Sequence, residues 1–102
     1  MRFLTDEILQ ELLDKYGEQE QLWQAVGECG ELIAVIQNYN RAKKYGHRTE
    51  ELADVMKEAA DVWFMVQQIR AMDRLMFDKC CELQETRIFR KIDNEKIKGT
   101  KK

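Results

Sequence analysis

The sequence predicts an all-α protein, and three observations carry that prediction. No proline occurs in the 102 residues, so nothing in the chain forbids long helices. Apolar residues recur at intervals of three and four, the period of a helix rather than of a strand. Charged residues make up 35% of the chain, enough to give each of those helices a solvated face.

Four helices follow in order. The first starts at Thr5, a good N-cap, with Asp6 and Glu7 in its first turn. Ile8, Leu9, Leu12 and Leu13 follow at helical spacing, and Gly17 is the stop after Tyr16. The second runs from Glu18 or Gln19 to Lys44. Its expected buried stripe is Leu22, Val26, Cys29, Ile33 and Ile36, with Leu32 at the border. Glu28 lies at that Leu32 border and Glu31 further toward water. Gly27 and Gly30 each cost about 0.8–1 kcal/mol relative to alanine inside a helix. They are either tolerated or there to let a backbone or ligand come close.

A turn at Tyr45-Gly46-His47-Arg48 follows, then Thr49 as a cap with Glu50 and Glu51 behind it. The third helix runs from Glu50 to about Met72. Its segment Val62-Trp63-Phe64-Met65-Val66 has no polar face, so it is expected to be buried all round. Three helices of this length cannot cover it, which predicts a dimer or tetramer. A fourth helix spans Asp73 or Arg74 to Ile92, with the weaker stripe Leu75, Met76, Cys80, Leu83 and Ile88. Residues 1–93 are thus expected as one domain, and 94–102 as a basic, flexible tail.

Composition excludes several classes. No run of about 18 uncharged apolar residues occurs, so no membrane partner is expected. The N-terminus, Met1 to Asp6, lacks the apolar core of a signal peptide. Three cysteines, an odd number without a CxxC pair, fit a reduced, cytoplasmic chain. Net charge is −2, yet Arg87–Lys102 holds seven Lys/Arg against Asp93 and Glu95, leaving an acidic body. Such a body does not attract polymeric nucleic acid. No GxxxxGK[ST] loop exists. A di-iron bundle needs two ExxH motifs, and His47 is the sole histidine; it reads as a turn residue. Trp23 and Tyr39 are suited to stacking on a base or, more simply, to packing.

The chemistry points to two carboxylate pairs spaced i, i+3: Glu28/Glu31 in the second helix and Glu58/Asp61 in the third. Residues three apart share a helix face. Two antiparallel helices then bring four carboxylates together, and such a group needs a cation. Oxygen-only ligands suit Mg²⁺, with Mn²⁺ an alternative. Spacing alone is weak, since Glu11/Asp14, Glu51/Asp54 and Glu82/Glu85 share it. The two chosen pairs stand apart because they border the most apolar segments at mid-helix, where capping does not explain them.

From Tyr16 to Ile69 the sequence resembles the MazG-like, all-α nucleoside triphosphate pyrophosphohydrolases. Their motif is ExxE, a spacer, then ExxD. Here it reads Glu28-Cys29-Gly30-Glu31, 26 residues, then Glu58-Ala59-Ala60-Asp61. Tyr16-Gly17 with Gln21 resembles the family's lead-in, Glu28-x-Gly30-Glu31-Leu32-Ile33 its first signature, and Tyr39-x-Arg41 a common exit. Ala60-Asp61-Val62 with Met65 and Gln68 resembles the second motif. Three positions depart from the pattern: Gly27 and Lys57 stand where glutamate is common, and Asn38 where many relatives carry lysine.

The resemblance implies a four-helix-type bundle assembled as a dimer or tetramer. It implies Mg²⁺-dependent hydrolysis of a nucleoside triphosphate to a monophosphate and pyrophosphate. Glu28, Glu31, Glu58 and Asp61 would be the metal-binding and catalytic set. Gln21, Asn38, Arg41, Lys44, Lys79 and Arg87 would contact substrate, Lys79 and Arg87 with Arg90 matching a downstream basic motif loosely. Two alternatives remain: a phosphoribosyl-ATP pyrophosphohydrolase-like enzyme, and a helical dimeric binding module with a degenerate metal site.

Overall fold

The computed structural model describes residues 4–45 and 52–100. The expected turn residues 46–48, the cap at Thr49 and the acids Glu50 and Glu51 lie outside them. Regular structure among the described residues is entirely helical: α1 (Asp6–Tyr16), α2 (Glu18–Tyr45), α3 (Leu52–Arg70) and α4 (Arg74–Thr100). None of these helices is long and apolar enough to cross a membrane. The chain forms two compact units, Met1–Met72 and Asp73–Lys102.

In the first unit, α1 forms as its local signals dictate. The Thr5 hydroxyl accepts from the Ile8 N–H at 3.2 Å, satisfying one free donor of the first turn. Gly17 closes the helix at φ 82°, where a side chain would be strained. Its N–H donates to the Leu13 carbonyl at 2.8 Å. Leu9 is buried, and Arg70 of α3 reaches Asp6 at 3.7 Å.

Helices α2 and α3 pack antiparallel. Gln21 near the start of α2 bonds Gln68 near the end of α3, while Asn38 and Asp54, at the opposite ends, line one groove. The seam of α2 differs from the expected stripe by one residue. Its buried or half-buried positions are Gln21, Ala25, Glu28, Leu32, Val35, Tyr39 and Ala42, a regular four–three alternation. Leu22, Val26, Cys29, Ile33 and Ile36 are exposed instead. The reason is steric: α2 carries two adjacent heptad rows, and the row with Ala25, Val35 and Ala42 lets α3 approach closely.

The segment Val62–Val66 is also not buried all round within the chain. Met65 is buried, Val62 and Val66 are half-buried, and Trp63 and Phe64 remain 55% and 44% exposed. The latter two rings meet edge to face at 5.3 Å.

These phases give the α2–α3 hairpin two unlike faces. On α2, Leu22, Val26, Cys29, Ile33 and Ile36 each follow a seam residue, whereas Glu31, Ala34 and Asn38 each precede one. On α3 the seam is Val55, Glu58, Val62, Met65 and Ile69. Met56, Ala59, Trp63 and Val66 follow seam residues; Asp54, Lys57, Asp61 and Phe64 precede them. In antiparallel right-handed helices the following positions lie on one side and the preceding positions on the other. One face is therefore apolar and the other acidic.

The second unit is α4. Asp73 caps it, accepting from the Met76 N–H at 2.9 Å. The helix continues through 94–100, where a flexible tail is expected from sequence. Residues 93–98 contain no glycine or proline, and Lys98 in the last turn complements the helix dipole.

Candidate functional site

The acidic face holds the site. Glu28, Glu31 and Glu58 each offer a carboxylate oxygen within 4.8 Å of the others. Glu28 and Glu58 belong to the seam and are half-buried, while Glu31, one step off the seam, is exposed. The Oε2 atoms of Glu28 and Glu58 are buried without a hydrogen-bond partner among the described residues. A buried carboxylate oxygen without a partner is costly, and two such oxygens beside a third carboxylate repel one another as well. That donor set fits a hard divalent cation, which takes oxygen ligands and removes both costs.

The neighbouring groove, about 290 Å³, is lined by Glu31, Ala34, Val35, Asn38, Asp54, Lys57 and Glu58. Lys57 lies 3.5 Å from Glu58 Oε1. Asp61 is half-buried one turn beyond Glu58 and stands outside the converging trio. The fourfold carboxylate cluster expected from sequence is thus a cluster of three. Asp54, one turn before Glu58, is the acid that lines the groove beside it.

The expected substrate contacts divide. Asn38 lines the groove. Arg41 and Lys44 are exposed on α2 beyond it. Gln21 is fully buried: its Nε2 donates to Gln68 Oε1 at 2.7 Å, and Gln68 Nε2 donates to the Met65 sulfur at 3.7 Å. It therefore sits in the core rather than at a surface open to a ligand. Lys79 and Arg87 are exposed on α4, in the second unit.

No family model, curated protein or solved structure matches the chain. The site therefore rests on its own geometry. Asp54 belongs to one of the acidic pairs expected on solvated faces, yet its place four residues before Glu58 puts both on one side of α3. Lys57 enters the sequence reading only as a departure from a motif, yet it is the one cation among the described residues lining the groove. Gly27 and Gly30 have open space where a Cβ would stand, so no other element among the described residues presses on them.

Proposed function

We propose that the chain is a divalent-cation-dependent nucleoside triphosphate pyrophosphohydrolase, releasing a nucleoside monophosphate and pyrophosphate. One observation carries this reading: three convergent carboxylates, two of them with buried, unpartnered oxygens, beside an open groove. The motif resemblance supports the same chemistry. Glu28 and Glu58 would hold Mg²⁺ through those oxygens. The bound ion supplies Lewis-acid polarisation of the phosphate and neutralises charge as it develops. Glu31, the exposed carboxylate, would accept the proton of the attacking water. Asn38 would donate its amide hydrogens to a phosphate oxygen across the groove. Asp61 would stand one turn behind and orient a water at the edge of the site.

A second copy belongs to this reading. Leu22, Val26, Ile33, Ile36, Leu52, Met56 and Trp63 are exposed on the apolar face. At roughly 100 Å² each they leave on the order of 700 Å² per chain, close to one partner's share of a standard interface. The apolar faces of two hairpins, stacked about a two-fold axis, would bury it.

The test is pyrophosphate release from a panel of ribo- and deoxyribonucleoside triphosphates and phosphoribosyl-ATP, with and without Mg²⁺. Mg²⁺-dependent release from a nucleoside triphosphate is the expected result. Release from phosphoribosyl-ATP alone would move the substrate to that class. The pairing of Lys57 with Glu58 and the cluster of three favour one rival, a dimeric binding module with a degenerate site. Mn²⁺ binding without turnover of any panel member would select it.

A further inference from the structure

Lys57 occupies an unusual place. On its own face of α3 it has Asp54 three residues before it and Asp61 four residues after it, with Glu58 adjacent. Its ammonium lies 3.5 Å from Glu58 Oε1, long for a charge-assisted bond. Adjacent helical residues do not face each other, so helix geometry does not favour this contact. The side chain is 73% exposed, and such pairs are weakly held and readily exchanged. The groove it lines also carries Glu31, Asn38 and Glu58. A phosphate coming to the carboxylate trio from that groove has Lys57 in the groove wall.

Charge then decides how many ions the site takes. The trio and Asp54, which lines the same groove, carry four negative charges and Lys57 returns one. One divalent cation then leaves a single negative charge. A glutamate at position 57 would lower the local charge by two, the charge of one further divalent ion. We propose that Lys57 holds this site to one divalent cation and gives the polyphosphate the positive charge a second ion would otherwise supply. In the resting state it pairs with Glu58; with the cation on Glu58 it turns to the phosphate. This inference rests on the metal-dependent reading above and adds to it a stoichiometry and a phosphate-binding residue.

The experiment is calorimetric titration of the full chain with Mn²⁺ alone, then of the Mn²⁺-loaded chain with inorganic pyrophosphate. Wild type, Lys57→Gln and Lys57→Glu are compared. Residue 57 is exposed at mid-helix and all three residues favour helix, so folding is retained; circular dichroism verifies it. Wild type should take one Mn²⁺ per chain and Lys57→Glu two. Lys57→Gln should keep one Mn²⁺ while binding pyrophosphate at least 10-fold more weakly. Two ions in wild type would overturn the proposal and leave the metal site standing. So would one ion in Lys57→Glu, or unchanged pyrophosphate affinity in Lys57→Gln. Failure of all three chains to bind Mn²⁺ would remove the metal site itself and the proposal with it.

Discussion

The acidic and apolar faces of the α2–α3 hairpin are built by the same two helices and lie one residue to either side of the seam. Glu31 and Asn38 stand one position before seam residues of α2, and Ile33 and Ile36 one position after. The acidic face carries polar groups that lack partners, as at Glu28 Oε2 and Glu58 Oε2. The apolar face carries large side chains that lack cover, as at Val26 and Trp63. Both faces are incomplete, one toward a cation and the other toward a surface like itself. Because they point away from each other, each can be broken without touching the other.

The largest expected effect is on assembly. Ile33 lies mid-way along the apolar face and is 57% exposed in the single chain. Across a two-fold interface Ile33→Glu occurs twice. At about 2 kcal/mol for each buried anchor lost, dissociation should strengthen about 1,000-fold. Sedimentation at micromolar concentration should show monomer for the variant and dimer for wild type. Mn²⁺ binding should persist in the variant. A wild-type chain that is already monomeric would show that the apolar face is not a self-interface.

Next comes the acidic face. Glu58→Gln removes the charge of the seam carboxylate whose oxygen lies buried and unpartnered. Turnover should fall at least about 100-fold, the scale for losing one group of an electrostatic site, with the dimer unchanged in sedimentation. Wild-type turnover by this variant would dissociate the trio from the chemistry. Phe64, beside Asp61, lies on this same face rather than on the apolar one. Its substitution is therefore expected to affect substrate more than assembly.

Ligand linkage gives a smaller, purely thermodynamic signal. Mg²⁺ at 100 times its dissociation constant should stabilise wild type by about 2.7 kcal/mol, raising Tm by about 10 °C. Glu58→Gln should lack that rise. Without Mg²⁺ it should melt above wild type, since it relieves repulsion among Glu28, Glu31 and Glu58. Equal Mg²⁺ responses in the two proteins would place the ion elsewhere.

Local signals were the legible part of this fold. Thr5 and Gly17 set the limits of α1 by capping chemistry that needs no knowledge of the rest of the chain. Three-residue spacing singled out Glu28/Glu31 and Glu58/Asp61 alike, but only Glu28, Glu31 and Glu58 converge, because a shared helix face does not fix which of two residues meets the facing helix. Phase was not legible. Periodicity reports that α2 has an apolar row, but two rows lie side by side, and size favours Leu22, Val26 and Ile33 over Ala25, Val35 and Ala42. Only the approach of α3 selects the row of small residues. Gln21, which the resemblance offers as a substrate contact, is likewise wholly buried. Its partner Gln68 is 47 residues away and becomes evident only once the hairpin closes.

The smallest effect separates two glycines three residues apart. Gly27 and Gly30 both lie inside α2 with open space at the Cβ position. Alanine at either should therefore stabilise the chain, by about 0.8–1 kcal/mol. Their phases differ: Gly27 precedes seam residue Glu28 and so lies on the acidic side, while Gly30 points directly away from α3. Gly27 lies one turn before Glu31, outside the groove lining, so a methyl group there meets a phosphate that extends from the groove along α2 past Glu31, and one at position 30 does not. Gly30→Ala should then raise Tm and leave the affinity of the Mn²⁺-loaded chain for inorganic pyrophosphate unchanged. Gly27→Ala should raise Tm equally and weaken that affinity several-fold. Equal affinities in the two variants would move the phosphate away from α2 and toward the Asp54–Lys57 side of the groove, and the helix-interior glycine at 27 would have no ligand to account for it.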